Sequence, residues 1–145
     1  MALSIHTDAL TLDIYGFSGT AINGDYAGTA FKLSGKMWQV VKENGLKNKG
    51  KNIWVYDRNH EVFAGLELEE IPKSDIALES KKIILTKYAY FKHVGPYKLL
   101  PTVGQRINSE LKAQGFDQDL PYIEIYGHWS NDESALETEL FFNLK

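Results

Sequence analysis

The sequence contains no cysteine, which excludes disulfide bonds, thiolate nucleophiles and zinc or iron–sulfur sites held by thiolates. Positive charge does not dominate, because 16 Lys and Arg stand against 19 Asp and Glu and the formal net charge is −3. We expect no direct binding of nucleic acid, which needs a clustered positive surface. No run approaches the roughly 20 apolar residues of a membrane span, and residues 1–13 show no signal peptide pattern. We therefore expect a cytoplasmic protein that does not bind membranes.

Motifs for metals and cofactors are also lacking. The histidines are scattered and form no pair four residues apart on a predicted helix, which argues against a metal site. The segment Gly35-Lys36-Met37 has no Ser or Thr after the lysine, so it is not a phosphate-binding loop. We predict no metal and no cofactor, and we assign no catalytic residue.

Aromatic residues, by contrast, make up 12% of the chain, and hydrophobic periodicity predicts the order strand, helix, strand, strand twice. The predicted elements of the first half are strands at 10–15, 52–56 and 61–71 and a helix at 36–44, and those of the second half are strands at 83–93, 121–126 and 136–144 and a helix at 102–114. Pro72 to Ser80, which includes Lys73 and Ser74, is predicted to be a polar connector.

Matching segments support an internal duplication. Segment 53–56 matches 123–126 with an offset of 70, and Gly45 matches Gly115 with the same offset. Leu12 and Tyr15 match Leu85 and Tyr88 with an offset of 73. We therefore predict a single α+β domain, 1–145, that consists of two βαββ repeats at about 8–72 and 80–145. We expect an antiparallel sheet with a pseudo-two-fold axis and a cleft between the two units.

Side-chain alternation divides the two matching strands into two faces. One face is aliphatic, and we expect it to pack against the helices; its residues are Ile53, Val55, Ile123 and Ile125. The other face is aromatic and carries one carboxylate; its residues are Asn52, Trp54, Tyr56, Tyr122, Glu124 and Tyr126. This face either lines a cleft or is an ordinary half-exposed sheet face.

The second half resembles the GyrI-like effector-binding domain. The resemblance rests on His93-Val94-Gly95-Pro96-Tyr97 at the end of a strand and on Pro121-Tyr122-Ile123-Glu124-Ile125-Tyr126 after a helix, and it covers residues 83–145. This domain is the ligand-sensing part of AraC-type and MerR-type multidrug regulators and also occurs as a separate protein. The resemblance implies duplicated βαββ units of the SHS2 type. At 142–144 the sequence Phe-Asn-Leu departs from the proline often found in the family.

The resemblance also implies a site for bulky lipophilic molecules, often cations, in an aromatic cleft with a buried glutamate. Motif position assigns that glutamate to Glu124, which strand alternation also places on the aromatic face. Glu137 and Glu139 on the last strand stay open as neighbours. The predicted ligand-binding residues are Trp38, Trp54, Tyr56, Tyr90, Tyr97, Tyr122, Glu124 and Tyr126.

Three functions follow as alternatives. The first is a ligand sensor or sequestering protein that acts without its own DNA-binding domain and meets a protein partner in trans. The second is a hydrolase of strained, cyclopropane-bearing electrophiles, in which Glu124 is the general base. The third is a protein-binding inhibitor or modulator module that uses the final strand.

Overall fold

The computed structural model describes residues 3–72 and 75–145, so Lys73 and Ser74 of the predicted connector lie outside the described residues. Within these ranges the chain forms eight strands and two α-helices. They are β1 (Ser4–His6), β2 (Leu10–Thr20), α1 (Tyr26–Glu43), β3 (Asn52–Tyr56), β4 (Glu61–Leu66), β5 (Glu79–Leu85), β6 (Tyr88–Val94), α2 (Leu100–Ala113), β7 (Gln118–Tyr126) and β8 (Glu137–Leu144).

All strands belong to one sheet in the order β1-β6-β8-β7-β3-β4-β2-β5, and every neighbouring pair is antiparallel. The central strands are β3 and β7, and Trp54 lies opposite Glu124 in their register. The register is symmetric about this pair, because Ile53 faces Ile125 and Val55 faces Ile123. Residues whose numbers differ by 70 therefore occupy equivalent positions on the two central strands. The predicted α+β fold is confirmed. The limits of the two repeats stay a prediction.

The prediction of one strand across 83–93 is wrong. The chain breaks at Thr86 and Lys87 into β5, which pairs with β2, and β6, which pairs with β8. The match of Leu12 and Tyr15 to Leu85 and Tyr88 therefore fails, since Leu85 lies on β5 and Tyr88 lies on β6. Neither Gly nor Pro stands at the break, so the local sequence gives no signal that a strand ends there. The short β1 was not predicted. It pairs with β6, which lies far from it in the sequence.

The first helix begins ten residues earlier than predicted. Asp25 caps α1 by accepting a hydrogen bond from the backbone N–H of Gly28 at 3.0 Å. A side chain at Gly28 would collide with this cap, because a Cβ there would lie 2.2 Å from a carboxylate oxygen of Asp25. The glycine is thus part of the helix start and does not indicate a loop. The predicted end is confirmed, since Gly45 follows α1 with φ 59°.

Both helices cover the face of the sheet that carries Glu124. Ile107 and Leu111 of α2 pack against Leu140, which lies directly opposite Glu124 on β8. The prediction that the aliphatic face packs against the helices is therefore wrong. Its residues join a buried cluster whose members all lie on strands, so the sheet covers this face by curling onto itself. That cluster contains Leu12, Ile14, Ile53, Val55, Phe63, Ile83, Leu85, Ile123, Ile125 and Phe141.

Candidate ligand-binding site

The candidate site lies on β3 and β7, between the two helices. α1 packs over β4 and β2 on one side, and α2 packs on β6 and β8 on the other. The middle strands thus form a floor that is flanked by the two helices. The side chains on this floor are those that strand alternation placed on the aromatic face: Asn52, Trp54, Tyr56, Tyr122, Glu124 and Tyr126.

Glu124 accepts hydrogen bonds from three tyrosines. Tyr126 donates to Oε1 at 2.8 Å, and Tyr56 donates to the same oxygen at 3.2 Å. Tyr122 donates to Oε2 at 2.9 Å. Hydrogen bonds to an ionised acceptor are about twice as strong as neutral ones. The three hydroxyls therefore replace much of the hydration that the carboxylate loses because it is half-buried. Within the described part of the chain Glu124 forms no ion pair.

These three hydroxyls stay protonated at physiological pH. Burial is the main cause that raises the pKa of Tyr56, Tyr122 and Tyr126 well above the ordinary value, and the negative charge and hydrogen bond of Glu124 raise it further. The tyrosines therefore act as neutral donors, and the charge of the floor is the single negative charge of Glu124.

Aromatic rings surround the carboxylate. The ring of Tyr126 lies 4.7 Å from that of Trp54 and 5.4 Å from that of Tyr97, centroid to centroid. Tyr56 and Tyr122 stack at 5.9 Å with an interplanar angle of 15°. Six of the eight predicted residues thus form one group around Glu124. We call it the Glu124 cluster: Trp54, Tyr56, Tyr97, Tyr122, Glu124 and Tyr126.

Trp38 lies beside the Glu124 cluster and is not part of it. Its indole Nε1 donates to Oδ1 of Asn52 at 2.6 Å, and the hydroxyl of Ser34 donates to the same oxygen at 3.0 Å. Asn52 is the register partner of Tyr126. The two α1 side chains therefore fix the amide next to the cluster.

Tyr90 lies on the opposite face of the sheet. Tyr90 pairs with Phe141, and Phe141 pairs with Ile123, which points away from the helices. The hydroxyl of Tyr90 donates to Glu139 at 2.6 Å. Glu137 and Glu139 share the alternation of this face, and Glu137 forms an ion pair with Lys92 at 3.1 Å. None of these residues is brought to Glu124.

Sequence reasoning missed Tyr26. Its ring packs edge-on against Tyr56 at 5.8 Å, and its hydroxyl shares a hydrogen bond with Nδ1 of His60 at 2.5 Å. Tyr26 therefore supports one of the three donors to Glu124. Its position in the first turn of α1 is the signal that would have found it, had the helix been extended back to the Asp25 cap.

The described residues contain no group of three or more His, Asp or Glu that could hold a metal ion. Neither α1 nor α2 is long and apolar enough to cross a membrane. Two surface depressions, one along α2 and one at the end of β2, do not include any residue of the Glu124 cluster. The rings of the cluster pack against each other, with centroid distances of 4.7, 5.4 and 5.9 Å.

No family model and no curated protein sequence matches the chain, but solved structures do. SAV2435 bound to tetraphenylphosphonium has a TM-score of 0.65 at 19% identity and covers 100% of this chain and 94% of its own. The EcmrR C-terminal domain has a TM-score of 0.73 at 17% identity and covers 100% and 99%. A hydrolase from Listeria innocua has a TM-score of 0.57 at 11% identity and covers 99% and 91%. The chain thus shares the fold of these proteins, and this is the α+β fold that the resemblance to GyrI-like domains implies.

Proposed function

We propose that this protein binds bulky lipophilic cations at the Glu124 cluster. The observation that carries the proposal is a lone carboxylate under three tyrosine hydroxyls, on the floor between two helices, with no ion pair in the described residues. A cation supplies the charge partner that Glu124 lacks, and it needs no further charged group to do so.

Aromatic faces add to this attraction. A cation over a tyrosine or tryptophan ring gains about 0.5–2 kcal/mol, and ring surfaces impose few directional hydrogen bonds. Tyr97, Tyr126 and Trp54 already lie against one another beside the carboxylate. Such a site selects charge and apolar bulk more strongly than one molecular shape.

The fold supports a role as a ligand sensor or sequestering protein. SAV2435, which shares the fold, is bound to tetraphenylphosphonium, and EcmrR carries a domain of the same fold at its C-terminus. By analogy we propose that ligand binding here is either the function itself or a signal to a protein partner in trans. A cytoplasmic location is part of this proposal and rests on the sequence features described above.

The direct test is calorimetric titration with tetraphenylphosphonium. At about 6 Å and an effective dielectric constant of about 20, one charge pair contributes roughly 3 kcal/mol, which partial solvent exposure reduces. We therefore expect Glu124→Gln to weaken binding about 10- to 100-fold. Glu139→Gln is the matched control, because Glu139 is also held by a tyrosine but lies on the opposite face; we expect it to change the affinity less than about twofold.

Neutral tetraphenylmethane separates charge from shape. It shares the four phenyl groups of the phosphonium ion and has neither charge nor hydrogen-bond acceptor, so Glu124→Gln should leave its weak binding nearly unchanged. Equal losses for the cation and the neutral compound in Glu124→Gln would refute the electrostatic role of Glu124. No binding of either compound by the unaltered protein would refute the proposed function.

Hydrolysis is the second candidate, because one protein of this fold is a hydrolase. Glu124 would then act as general base on water, and a neighbouring tyrosine would donate a proton. The three hydroxyls favour binding instead, since they occupy the oxygens with which a base would abstract a proton. Turnover of a strained cyclopropyl substrate that Glu124→Gln abolishes would reverse this preference.

A further inference from the structure

Trp54 holds a buried donor that has no partner. Its indole Nε1 is shielded from solvent and forms no hydrogen bond within the described residues. An indole N–H can only donate, and nearly all buried donors in proteins are paired. Trp54 is also the register partner of Glu124 and packs on Tyr126. The unpaired donor therefore belongs to the same floor as the carboxylate.

The other unpartnered buried polar atom in the described residues lies beside the same tyrosine. It is the hydroxyl oxygen of Thr138, a residue that is fully buried and is the register partner of Tyr126 on β8. Trp54 and Thr138 thus flank Tyr126 from its two sides. The two buried side-chain N or O atoms that have no partner in the described residues thus both lie beside one member of the Glu124 cluster.

Asn52 adds a second oriented donor on β3. Its Oδ1 accepts from the indole of Trp38 at 2.6 Å and from the hydroxyl of Ser34 at 3.0 Å. Because the indole cannot accept, the amide oxygen must face α1, and the amide nitrogen is turned to the other side. The β3 half of the floor therefore offers N–H donors, and the β7 half offers the carboxylate.

We infer that Trp54 is a specificity-determining residue and that the preferred ligand is a lipophilic cation with a hydrogen-bond acceptor, such as a carbonyl oxygen, a few atoms from its charge. This inference rests on the proposed function and assigns the ligand class of the same site. The acceptor pairs with Nε1 of Trp54 once the ligand displaces the ring of Tyr126. A cation without an acceptor leaves that donor unpaired in the complex, so it binds more weakly.

Two phosphonium ions that differ in one group test this. (4-Oxo-4-phenylbutyl)triphenylphosphonium carries a ketone where (4-phenylbutyl)triphenylphosphonium carries a methylene, with the same charge and nearly the same length. We expect calorimetric titration of the unaltered protein to give about three- to tenfold tighter binding of the ketone. Equal affinities overturn the inference but leave the proposed function intact, whereas no binding of either ion contradicts the proposed function itself.

Matched variants locate the effect. Trp54→Phe keeps an aromatic ring and removes the N–H, so it should bring the affinity ratio of the two ions to about one. Trp38→Phe is the control, because its N–H already has Asn52 as partner, and it should keep the ratio. A ratio that survives Trp54→Phe overturns the assignment to Trp54.

A spectroscopic readout does not depend on how the Trp54 variant folds. The chain has three tryptophans, so ¹⁵N-labelled indole gives three signals, which Trp38→Phe and Trp129→Phe assign. We expect the ketone to shift the Trp54 indole proton downfield, as a new hydrogen bond does, and the methylene analogue not to do so. The same shift with both ions contradicts the inference.

Discussion

Replacing the tyrosines around Glu124 by phenylalanine should reveal how strongly each hydroxyl stabilises the carboxylate. A hydrogen bond to a charged group contributes about 1.5–3 kcal/mol. Tyr122 at 2.9 Å and Tyr126 at 2.8 Å make short bonds, so each phenylalanine variant should lose about 2 kcal/mol in free energy of unfolding. Tyr56 at 3.2 Å shares Oε1 with Tyr126 and should lose the least, about 1 kcal/mol.

The assay is urea unfolding of the single variants and of the same variants combined with Glu124→Leu. Leucine removes the acceptor, so the hydroxyls lose their partner, and the tyrosine substitutions should then cost about zero. The difference between the two backgrounds is the coupling energy of the pair. In thermal unfolding, a loss of 2 kcal/mol corresponds to a fall in Tm of about 4–8 °C for a domain of this size.

Tyr90→Phe is the control for this cycle. Tyr90 makes a comparable bond of 2.6 Å, but to Glu139 on the other face of the sheet. Its cost should be the same with and without Glu124→Leu. If Tyr122→Phe or Tyr126→Phe costs as much in the Glu124→Leu background as alone, the hydroxyls contribute through packing, and the stabilisation attributed to the hydrogen bonds is wrong.

Two further predictions concern pH and backbone space. The native pKa of Tyr56, Tyr122 and Tyr126 is raised, so above pH about 10 unfolding releases their protons. The free energy of unfolding should therefore fall as the pH rises beyond about 10. Urea titrations at pH 8 and 11 measure this change, and an unchanged stability contradicts the prediction. Gly16→Ala should destabilise the protein by about 3 kcal/mol or more, since the new Cβ would lie 1.9 Å from a backbone oxygen. In Gly104→Ala the new Cβ on α2 meets open space, so this variant should stabilise the protein by about 0.5 kcal/mol. Urea midpoints that move in the opposite directions contradict these two expectations.

Strand alternation alone could place the main residues of the site. In the central strands the period of two is unbroken, so Trp54, Tyr56, Tyr122 and Tyr126 share a face with Glu124. The same rule could not exclude Tyr90 from the predicted site, because the face on which Tyr90 lies depends on the pairing of β6 with β8 across the sheet. Pairing is a long-range property that local sequence does not encode.

The first half of α1 could not be predicted from propensity. Gly28 and Gly35 each cost about 1 kcal/mol in a helix relative to alanine. Their presence in this segment favours the prediction of a loop. Burial of Ala30 and Met37 against the sheet stabilises the helix despite this cost. Tertiary packing, which appears only in the assembled fold, decides the element.

The curled sheet explains the remaining error. An aliphatic face is normally covered by helices, and the residues at 53, 55, 123 and 125 meet that expectation in composition. Here the strands cover it themselves, and the helices are left for the aromatic face. Composition therefore shows that a face is buried but does not show what buries it.

The pair of Trp54 and Glu124 at the centre of the register has a consequence for symmetry. In a dimer of two identical βαββ chains, the two positions on the axis would hold the same residue, so the floor would have two carboxylates or none. Two carboxylates in directly opposed strand positions would repel each other. One chain with two unequal halves can put an indole on one side and a charge on the other. A single negative charge at the centre of this register is thus open to a chain with two unequal halves and closed to a homodimer.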